Sequence, residues 1–192
     1  MDPSGPMRPV RPECSVFVAT SLDGFISRED GRIDWLEAAN ATVPAGEDCG
    51  YAAFFTTVDA LVMGRSTFET ALAFPEWPYG DRSVFVLSRT LTQLPESTPA
   101  TVSLSDEPPT ALVGRLHAEG FRHLYVDGGR TIQAFLSAEL IDDLTITVVP
   151  VLLGAGRPLF GPLWADVQLE LVGSRAYPFG FVQNRYRVRS ET

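Results

Sequence analysis

The sequence predicts one α/β domain built on a mostly parallel, mixed central sheet that is flanked by helices. In the first two thirds of the chain, short apolar strand-like segments alternate with segments of helical periodicity. The last third contains strand-like segments only, which places antiparallel strands at one side of the sheet. A length of 192 residues fits a single domain with a substantial core, and no internal repeat is visible.

The first predicted strand covers residues 14–20, where β-branched and aromatic side chains dominate. Residues 1–13, which precede it, are rich in proline and are expected to form a flexible tail rather than a signal peptide. From residue 21 to about residue 46 the chain is polar and glycine-punctuated, without clear periodicity. A stretch of this length inside a compact domain usually indicates a functional loop, and a passive insertion is the alternative.

Strand-like and helical segments then follow each other. Tyr51, Phe54, Phe55 and Val58 stand at i, i+3, i+4 and i+7, which predicts one face of a helix. Gly120 is expected to end a later helix as its C-terminal cap. The remaining predicted elements are strands at 60–63, 83–87 and 101–104, a helix at 110–119, a strand at 123–126, a helix spanning Ile132 to Leu140, and strands at 144–153, 167–174 and 181–188.

The composition argues against several classes of partner and site. The net charge of −9 disfavours nucleic acid, which requires a basic surface. No stretch approaches the roughly 18 apolar residues of a membrane-spanning helix, so no membrane partner is expected. All 15 basic residues are arginine. The absence of lysine excludes a Walker-type phosphate loop, a pyridoxal Schiff base and a lysine general base.

Cysteine and histidine are too few for several other kinds of site. Cys14 and Cys49 do not make a disulfide framework, so a reducing, cytoplasmic compartment is expected. With His117 and His123 as the only histidines, the supply of ligands disfavours zinc, and no metal is expected. A Ser-His-Asp triad is disfavoured because the chain has no nucleophile-elbow motif.

Three predicted strands end in similar residues. In open α/β sheets ligands bind at the carboxyl ends of the strands. Glycine permits close backbone approach, hydroxyls and amides at a helix start bind phosphate oxygens, and arginine adds charge. One such end is often only a helix cap, but three at one edge indicate a long polyanion such as a dinucleotide. The three ends are Gly64-Arg65-Ser66-Thr67, Ser88-Arg89-Thr90 and Gly128-Gly129-Arg130-Thr131.

Four segments, in this order, resemble dihydrofolate reductase and the reductase domain of riboflavin biosynthesis, the RibD C-terminal type. They are residues 19–24 (ATSLDG), 62–69 (VMGRSTFE), 87–89 (LSR) and 126–129 (VDGG), and residues 149–154 (VPVLLG) match as well. The resemblance covers almost the whole chain. It implies a three-layer, dihydrofolate-reductase-like fold for a single domain at residues 14–192. The SLDG and PVLLG segments place the chain closer to the riboflavin type.

The resemblance also implies an activity, namely transfer of a hydride from NADPH to a C=N bond of a pyrimidine or pteridine-like heterocycle. Dihydrofolate reductase itself and a non-catalytic nucleotide-binding module on the same fold are the alternatives. A homodimer is a further expectation. The riboflavin-type pattern commonly has a basic residue six positions before the aspartate of SLDG, where this chain has Phe17. This departure argues against a phosphorylated ribosyl substrate.

Cofactor contacts are likewise implied by the resemblance. Ala19 and Ile26 would border the nicotinamide. Arg65, Ser66 and Thr67 would hold the pyrophosphate at a helix N-terminus, and Gly64 before them is also an expected cofactor-binding residue. Ser88 and Arg89 would meet the adenosine 2′-phosphate, which favours NADPH over NADH. Gly128 and Gly129 would form a close-approach turn, expected from the family to contain a cis peptide bond, and Arg130 and Thr131 complete the expected cofactor-binding residues.

Two carboxylates are candidates for the chemistry. Asp48 lies 16 residues before Gly64, at the family's acid position, and would pair with a heterocycle and favour its protonation. The alternative for Asp48 is a favourable charge at a helix N-terminus. Asp23 of SLDG is the second candidate, with an ordinary Asp-Gly turn as its alternative. Trp35, in a segment resembling the mobile loop of the family, and Tyr51 are the expected substrate-binding residues.

Overall fold

The computed structural model describes residues 10–189 and contains the alternating helices and strands that the sequence predicts. Within these residues the strands are β1 (Glu13–Ser21), β2 (Phe25–Ser27), β3 (Ala60–Gly64), β4 (Ser83–Leu87), β5 (Val102–Ser105), β6 (His123–Asp127), β7 (Asp143–Val149), β8 (Arg157–Pro158), β9 (Leu169–Ala176) and β10 (Val182–Val188). The helices are α1 (Asp34–Asn40), α2 (Tyr51–Thr57), α3 (Arg65–Leu72), α4 (Pro109–Ala118) and α5 (Gly129–Ser137).

The main sheet has eight strands in the order β5-β4-β3-β6-β1-β7-β10-β9. Neighbouring strands from β5 to β7 are parallel, whereas β10 runs antiparallel to β7 and β9 antiparallel to β10. The predicted mostly parallel mixed sheet, with antiparallel strands at one side, is therefore confirmed. A small second sheet pairs β2 with β8.

Helices cover both faces of the central strands. On β3, Val62 packs into one apolar cluster with residues of α4 and α5, such as Leu112 and Phe135. Its neighbours Leu61 and Met63 pack on the other face with Phe68 of α3 and the aromatic side of α2. Strands buried on both faces read as continuous apolar runs, which is why this segment was predictable as a strand. In the described part of the chain, no helix has the length and apolar character needed to cross a membrane.

The C-terminal end of α4 was predicted correctly, whereas the predicted end of α5 was wrong. Gly120 has a φ of 101° and the amide of Phe121 donates to the carbonyl of Leu116, so the predicted glycine cap of α4 is confirmed. In α5 the same type of cap is formed after Ser137. The amide of Leu140 donates to the carbonyl oxygen of Phe135. Leu140 therefore packs on the core from the cap, whereas the sequence predicted that it lies in the helix.

Two predictions about the N-terminal quarter need correction. The stretch at 21–46 is not a plain loop, because it contains β2 and α1, and α1 buries only Trp35. A helix with one buried side chain has no apolar periodicity to detect. The tail predicted at 1–13 is also too long: Arg11 forms a two-pronged ion pair with Asp142 at 2.8 and 3.1 Å, and β1 starts at Glu13. Residues 1–9 lie outside the described residues.

Candidate active site

The three glycine- and arginine-containing strand ends lie side by side. Strands β4, β3 and β6 are adjacent and parallel, so their carboxyl ends meet at one edge of the sheet. In this register Gly64 at the end of β3 pairs with Leu87, the residue before Ser88, and Met63 pairs with Asp127, the residue before Gly128. Two helices, α3 and α5, begin directly at this edge.

Glycines at this edge have no room for a side chain. Gly128 has a φ of 89°, and a Cβ there would collide with Oγ1 of Thr67. A Cβ at Gly129 would lie 2.8 Å from Cδ1 of Ile26, and one at Gly64 would lie 3.0 Å from Oγ1 of Thr131. The structure thus brings six of the predicted cofactor residues together in a backbone cradle, namely Ile26, Gly64, Thr67, Gly128, Gly129 and Thr131.

The N-cap residues of α3 and α5 offer no side-chain cap to the first amides of their helices. Helix α3 starts after Gly64 and α5 starts after Gly128, and neither glycine can cap its helix with a side chain. The first amides of a helix are left without intrahelical partners and attract anions. Arg65 of α3 pairs with Glu69 at 2.7 Å, whereas Arg130 of α5 is exposed and forms no ion pair within residues 10–189. Ser66 is exposed on the first turn of α3.

Ser88 and Arg89 form the turn that ends β4. The hydroxyl oxygen of Ser88 accepts hydrogen bonds from the amides of Thr90 and Leu91 at 3.3 and 3.0 Å, which fixes the turn. Arg89 is exposed, and among the described residues its guanidinium has neither a hydrogen bond nor an ion pair. This arginine is therefore an available cation at the outer end of the row of strand ends.

Ala19 and Ile26 approach the site from β1 and β2. Ala19 is partly buried next to Trp35 and Val149. Ile26 packs against the cluster beneath α5 and touches the cradle at Gly129. The two side chains thus belong to different apolar clusters, and of the two only Ile26 is recorded in contact with the cradle.

Asp127 carries a carboxylate that the sequence analysis did not select. It is the last residue of β6, is partly buried, and accepts one hydrogen bond, from the amide of Gly128 to Oδ1 at 2.7 Å. Three tyrosines, Tyr51, Tyr79 and Tyr125, lie close enough for the Asp127 charge to affect their pKa values. Burial raises the pKa of Asp127 to about 6, and the Gly128 amide opposes this rise.

One signal for Asp127 was present in the sequence. Alternation along β6 places Asp127 on the same face as Tyr125, and its partner on β3 is the buried Met63. A carboxylate in the register of a buried strand face is rarely found without a reason. The glycines that follow Asp127 are the stronger signal in this segment, because they mark a turn at a strand end.

Asp23 holds two loops together. Its carboxylate accepts hydrogen bonds from the Ser21 hydroxyl at 2.6 Å, from the amide of Gly154 at 2.7 Å and from the amide of Leu153 at 3.1 Å. These donors, the Ser21 hydroxyl first, lower the pKa of Asp23. They link the turn after β1 to the loop after β7, which explains why SLDG and PVLLG occur together in one chain.

Asp48 stands before α2 and is exposed. Its carboxylate accepts hydrogen bonds from the amides of Ala52 at 2.7 Å and Gly50 at 2.8 Å. The Ala52 amide, followed by that of Gly50, lowers the pKa of Asp48. These contacts are those of a helix-capping carboxylate, the alternative that the sequence left open.

The two predicted substrate-binding residues lie in different clusters. Trp35 of α1 is buried with Val149, Tyr177 and Phe181, and its indole N–H has no hydrogen-bond partner among the described residues. Tyr51 of α2 packs with Phe17 and Tyr125 in what we term the aromatic cluster. The centroid of its ring lies 5.6 Å from that of Phe17 and 6.4 Å from that of Tyr125. Tyr51 therefore lies on the Asp127 side of the site.

A cleft of about 530 Å³ separates the segment after β2 from α3. Its lining includes Asp30, Asp34 and Arg32 from that segment, and Ser66 and Thr70 from α3. Its volume lies within the range of small-molecule sites. Ser66 connects this cleft to the predicted cofactor residues.

One expectation about the site, the cis peptide bond, has a structural outcome. Between residues 10 and 189 every peptide bond is trans, so the cis bond expected at 128–129 is wrong for this chain. The left-handed φ of Gly128 makes the turn instead. Over the same residues, no three His, Cys, Asp or Glu side chains are grouped so that they could hold a metal ion.

Known proteins resemble this chain over nearly its full length. Residues 12–182 match the model of the RibD C-terminal domain. The uncharacterised protein YwjB of Bacillus subtilis is 37% identical over 166 residues, which are 84% of this chain and 90% of YwjB. The uncharacterised YyaP of the same organism is 25% identical over 182 residues, 88% of this chain and 91% of YyaP.

Solved structures agree with this assignment. A candidate riboflavin biosynthesis protein from Shewanella sp. PV-4 is 40% identical and superimposes with a TM-score of 0.87, covering 93% of this chain and 99% of that one. A deaminase and 5-amino-6-(5-phosphoribosylamino)uracil reductase from Thermotoga maritima shares the fold, with 15% identity and a TM-score of 0.71 over 93% of this chain and 57% of that one. This chain belongs to the RibD C-terminal domain family.

Proposed function

We propose that this protein is an NADPH-dependent reductase that adds a hydride to a C=N bond of a pyrimidine related to riboflavin precursors, or of a pteridine. The observation that carries the proposal is the glycine cradle at the carboxyl ends of β3 and β6, flanked by two helix N-termini. Membership in a family with reductase relatives supports it. Both cysteines, Cys14 and Cys49, are free thiols, which is compatible with a cytoplasmic location.

The cradle fits a dinucleotide in shape and charge. Because Gly64, Gly128 and Gly129 carry no Cβ, Thr131, Thr67 and Ile26 can pack directly against the strand ends, and α3 and α5 can begin side by side there. The uncapped amides of α3 and α5 would hold the pyrophosphate, with the hydroxyls of Ser66, Thr67 and Thr131 beside them. When bound, NADPH supplies the hydride.

Cofactor choice would rest on Arg89. It stands at the end of β4, two strands away from β6, and its charge is unpaired within the described part of the chain. A 2′-phosphate placed there would gain a charge-assisted hydrogen bond that NADH cannot form. Arg130 would add charge nearer to the pyrophosphate.

Asp127 is the group best placed to supply the proton. Reduction of a C=N bond places an electron pair on nitrogen, which then needs a proton. Oδ1 of Asp127 accepts from Gly128, which leaves Oδ2 to hold a proton, and a pKa of about 6 keeps part of the population protonated near neutrality. Because Gly128 follows Asp127 directly, the acid adjoins the cradle. Asp48 and Asp23, predicted from sequence for this chemistry, have lowered pKa values, so both are deprotonated near neutrality and hold no proton to donate.

Substrate preference would follow from the aromatic cluster. Phe17 stacks on Phe54 at 5.0 Å between ring centroids, and Tyr51 packs edge-on against Phe17. These side chains offer flat apolar surface and no positive charge near Asp127. A neutral heterocycle, or one with N–H groups that face Asp127, fits this environment better than a substrate whose phosphate lies there.

The proposal is tested by titrating NADPH and NADH into wild type and Arg89→Ala by calorimetry. A charged hydrogen bond contributes about 1.5–3 kcal/mol, so the preference for NADPH should fall roughly ten- to hundredfold in the variant. Arg187→Ala, at the far side of the sheet, is the control and should keep the preference. Equal binding of both cofactors to wild type would contradict the proposal.

Measurements of turnover distinguish the proposed reductase from a dihydrofolate reductase and from a non-catalytic nucleotide-binding module. NADPH oxidation is followed with a panel of pyrimidine imines, pteridines and dihydrofolate. Oxidation with dihydrofolate alone would make the protein a dihydrofolate reductase. NADPH binding without oxidation by any member of the panel would favour the nucleotide-binding module.

A further inference from the structure

Tyr79 lies in the segment between α3 and β4, and its ring packs on the same face of the sheet as Tyr125. The ring contacts Trp77 edge-on, with 5.2 Å between ring centroids, and lies 6.5 Å from Phe55 of α2 at an interplanar angle of 29°. Phe55 in turn stacks on Tyr51 at 5.6 Å. These contacts bury Tyr79 to 7% exposure, so its ring has little freedom to turn.

The hydroxyls around Asp127 differ in whether the protein satisfies them. The hydroxyl of Tyr125 donates to the carbonyl of Phe17 at 2.8 Å and helps to hold β6 against β1. Within residues 10–189 the hydroxyls of Tyr51 and Tyr79 have no hydrogen-bond partner, and neither is among the polar atoms that are fully enclosed without one. Both hydroxyls therefore reach solvent, although the Tyr79 ring is almost entirely buried. A buried ring with an accessible, unsatisfied hydroxyl is typical of a side chain that lines a binding site.

The two accessible hydroxyls lie within electrostatic range of Asp127 and act as proton donors. Burial, and then the charge of Asp127, raise the pKa of Tyr51 to about 12 and also raise the pKa of Tyr79. Both phenols therefore keep their protons at neutral pH. The charge of Tyr51 adds to the effect at Tyr79, so the two hydroxyls are also near each other. The site thus combines one carboxyl oxygen, Oδ2 of Asp127, with two phenolic donors.

We propose that Tyr79 is a specificity-determining residue of the reductase reaction proposed above, on which this inference rests, and that its hydroxyl donates, together with that of Tyr51, to a ring carbonyl of the heterocycle. An ionised carboxylate only accepts hydrogen bonds, so a carbonyl oxygen is repelled at Asp127 and is stabilised at the two phenols. The substrate then turns its C=N nitrogen towards Asp127 and its ring carbonyl towards Tyr79. A heterocycle without a ring carbonyl lacks the acceptor that these largely desolvated hydroxyls need, and the site discriminates against it for that reason.

Calorimetric titration of the full chain with uracil and with 2,4-diaminopyrimidine tests the inference without turnover. Uracil has two ring carbonyls, and 2,4-diaminopyrimidine has amino groups in their place. Tyr79→Phe keeps the ring and removes a hydroxyl that has no partner in the described residues, so the free energy of unfolding should stay that of wild type. The Kd for uracil should rise roughly three- to tenfold, the effect of one neutral hydrogen bond, whereas the Kd for 2,4-diaminopyrimidine should stay within about twofold.

Tyr186→Phe is the matched control. It removes a hydroxyl from β10, whose Tyr186 ring packs against the apolar cluster on the other face of the sheet. This variant should bind both pyrimidines as wild type does.

Kinetics separate a failure of this inference from a failure of the proposed function. With a carbonyl-bearing heterocycle that wild type reduces, Tyr79→Phe should raise KM roughly three- to tenfold and leave kcat within about twofold, because uniform binding is lost. If no heterocycle is reduced, the proposed function fails and the uracil titration alone decides on Tyr79. The inference is overturned if wild type does not bind uracil at millimolar concentrations, or if Tyr79→Phe binds uracil as tightly as wild type. It is also overturned if Tyr79→Phe weakens both pyrimidines equally or fails to fold, or if Tyr186→Phe weakens uracil binding as much.

Discussion

Two Asp-Gly pairs follow adjacent parallel strands of the same sheet, and their carboxylates have opposite properties. Asp23, just after β1, is exposed and accepts hydrogen bonds from Ser21, Leu153 and Gly154. These donors stabilise the charged form and lower the pKa of Asp23. The glycine after it has a φ of 84°, nearly the 89° of Gly128.

Asp127, at the end of β6, has one such donor, the Gly128 amide, and is surrounded by aromatic side chains. Desolvation outweighs this single hydrogen bond and raises the pKa to about 6. The same dipeptide near the carboxyl end of a parallel strand is therefore a loop tether in one case and a candidate acid in the other. The number of donors and the access of water decide between the two.

The largest expected difference concerns turnover. Asp127→Asn keeps the shape and removes the proton, so the rate with NADPH and a reducible heterocycle should fall by about two to four orders of magnitude. NADPH affinity, measured by calorimetry, should change little. Because the protonated form is required, the wild-type rate should also decline as the pH rises through about 6.

Asp23→Asn is the matched control for this experiment. It removes a charge from the other Asp-Gly pair and should leave the chemical step unchanged. A large rate loss in Asp23→Asn, with none in Asp127→Asn, would assign the proton donor to Asp23 of the SLDG turn. Asp127 would then have no role in the chemical step.

Alanine substitutions at the two glycines, Gly24 and Gly128, should also differ in their effects on stability and on NADPH binding. Alanine at either position places an L-residue at positive φ, which costs about 1–2 kcal/mol of stability. A Cβ at Gly24 meets nothing within 4 Å, whereas a Cβ at Gly128 collides with Thr67 in the cradle. Gly128→Ala should lose about 1–3 kcal/mol more, and NADPH should bind roughly tenfold or more weakly. Chemical denaturation and calorimetry measure the two effects, and unchanged NADPH binding by Gly128→Ala would argue against the cradle.

The free energy of unfolding should depend on pH with opposite signs at the two carboxylates. The pKa of Asp127 is raised on folding, so its contribution to stability is complete below about pH 4 and is lost as the pH rises through about 6. Asp127→Asn should therefore be more stable than wild type at pH 7, by on the order of 1–3 kcal/mol, and similar at pH 4. Denaturant titrations at both pH values measure this difference.

Asp23→Asn should show the reverse. The pKa of Asp23 is lowered on folding, so its contribution is present at neutral pH and lost on acidification. The variant should be less stable than wild type at pH 7 and approach it at low pH. If both variants respond to pH in the same direction, the assigned difference between the two environments is wrong.

The smallest effect is expected at Asp48. Asp48→Ala removes the acceptor for the amides of Gly50 and Ala52 and should cost about 0.5–2 kcal/mol of stability, with the rate unchanged. Asp48→Asn keeps a capping oxygen and should be close to wild type in both respects. Loss of turnover in Asp48→Asn with normal NADPH binding would restore the catalytic role that the family resemblance implied.

Elements with a strong local pattern were predictable. The run of buried residues at Ala60–Gly64 and the aromatic spacing of α2 have their own periodicity, and Gly120 ends α4 as expected. Helix α1 was missed because Trp35 is its one buried residue. Asp127 was missed because its surroundings come from Tyr51 and Tyr79, which lie far from it in the chain.

The sequence by itself predicted the fold, and it predicted the edge of the sheet that we propose as the cofactor site. Strand periodicity is local, and parallel strands necessarily bring Gly64, Ser88 and Gly128 to one edge. Only the tertiary structure decided which of the carboxylates Asp23 and Asp127 has a raised pKa and which a lowered one. A pKa depends on the donors and the solvent around the group, and these come from distant segments: Leu153 and Gly154 for Asp23, and the tyrosines of the aromatic cluster for Asp127.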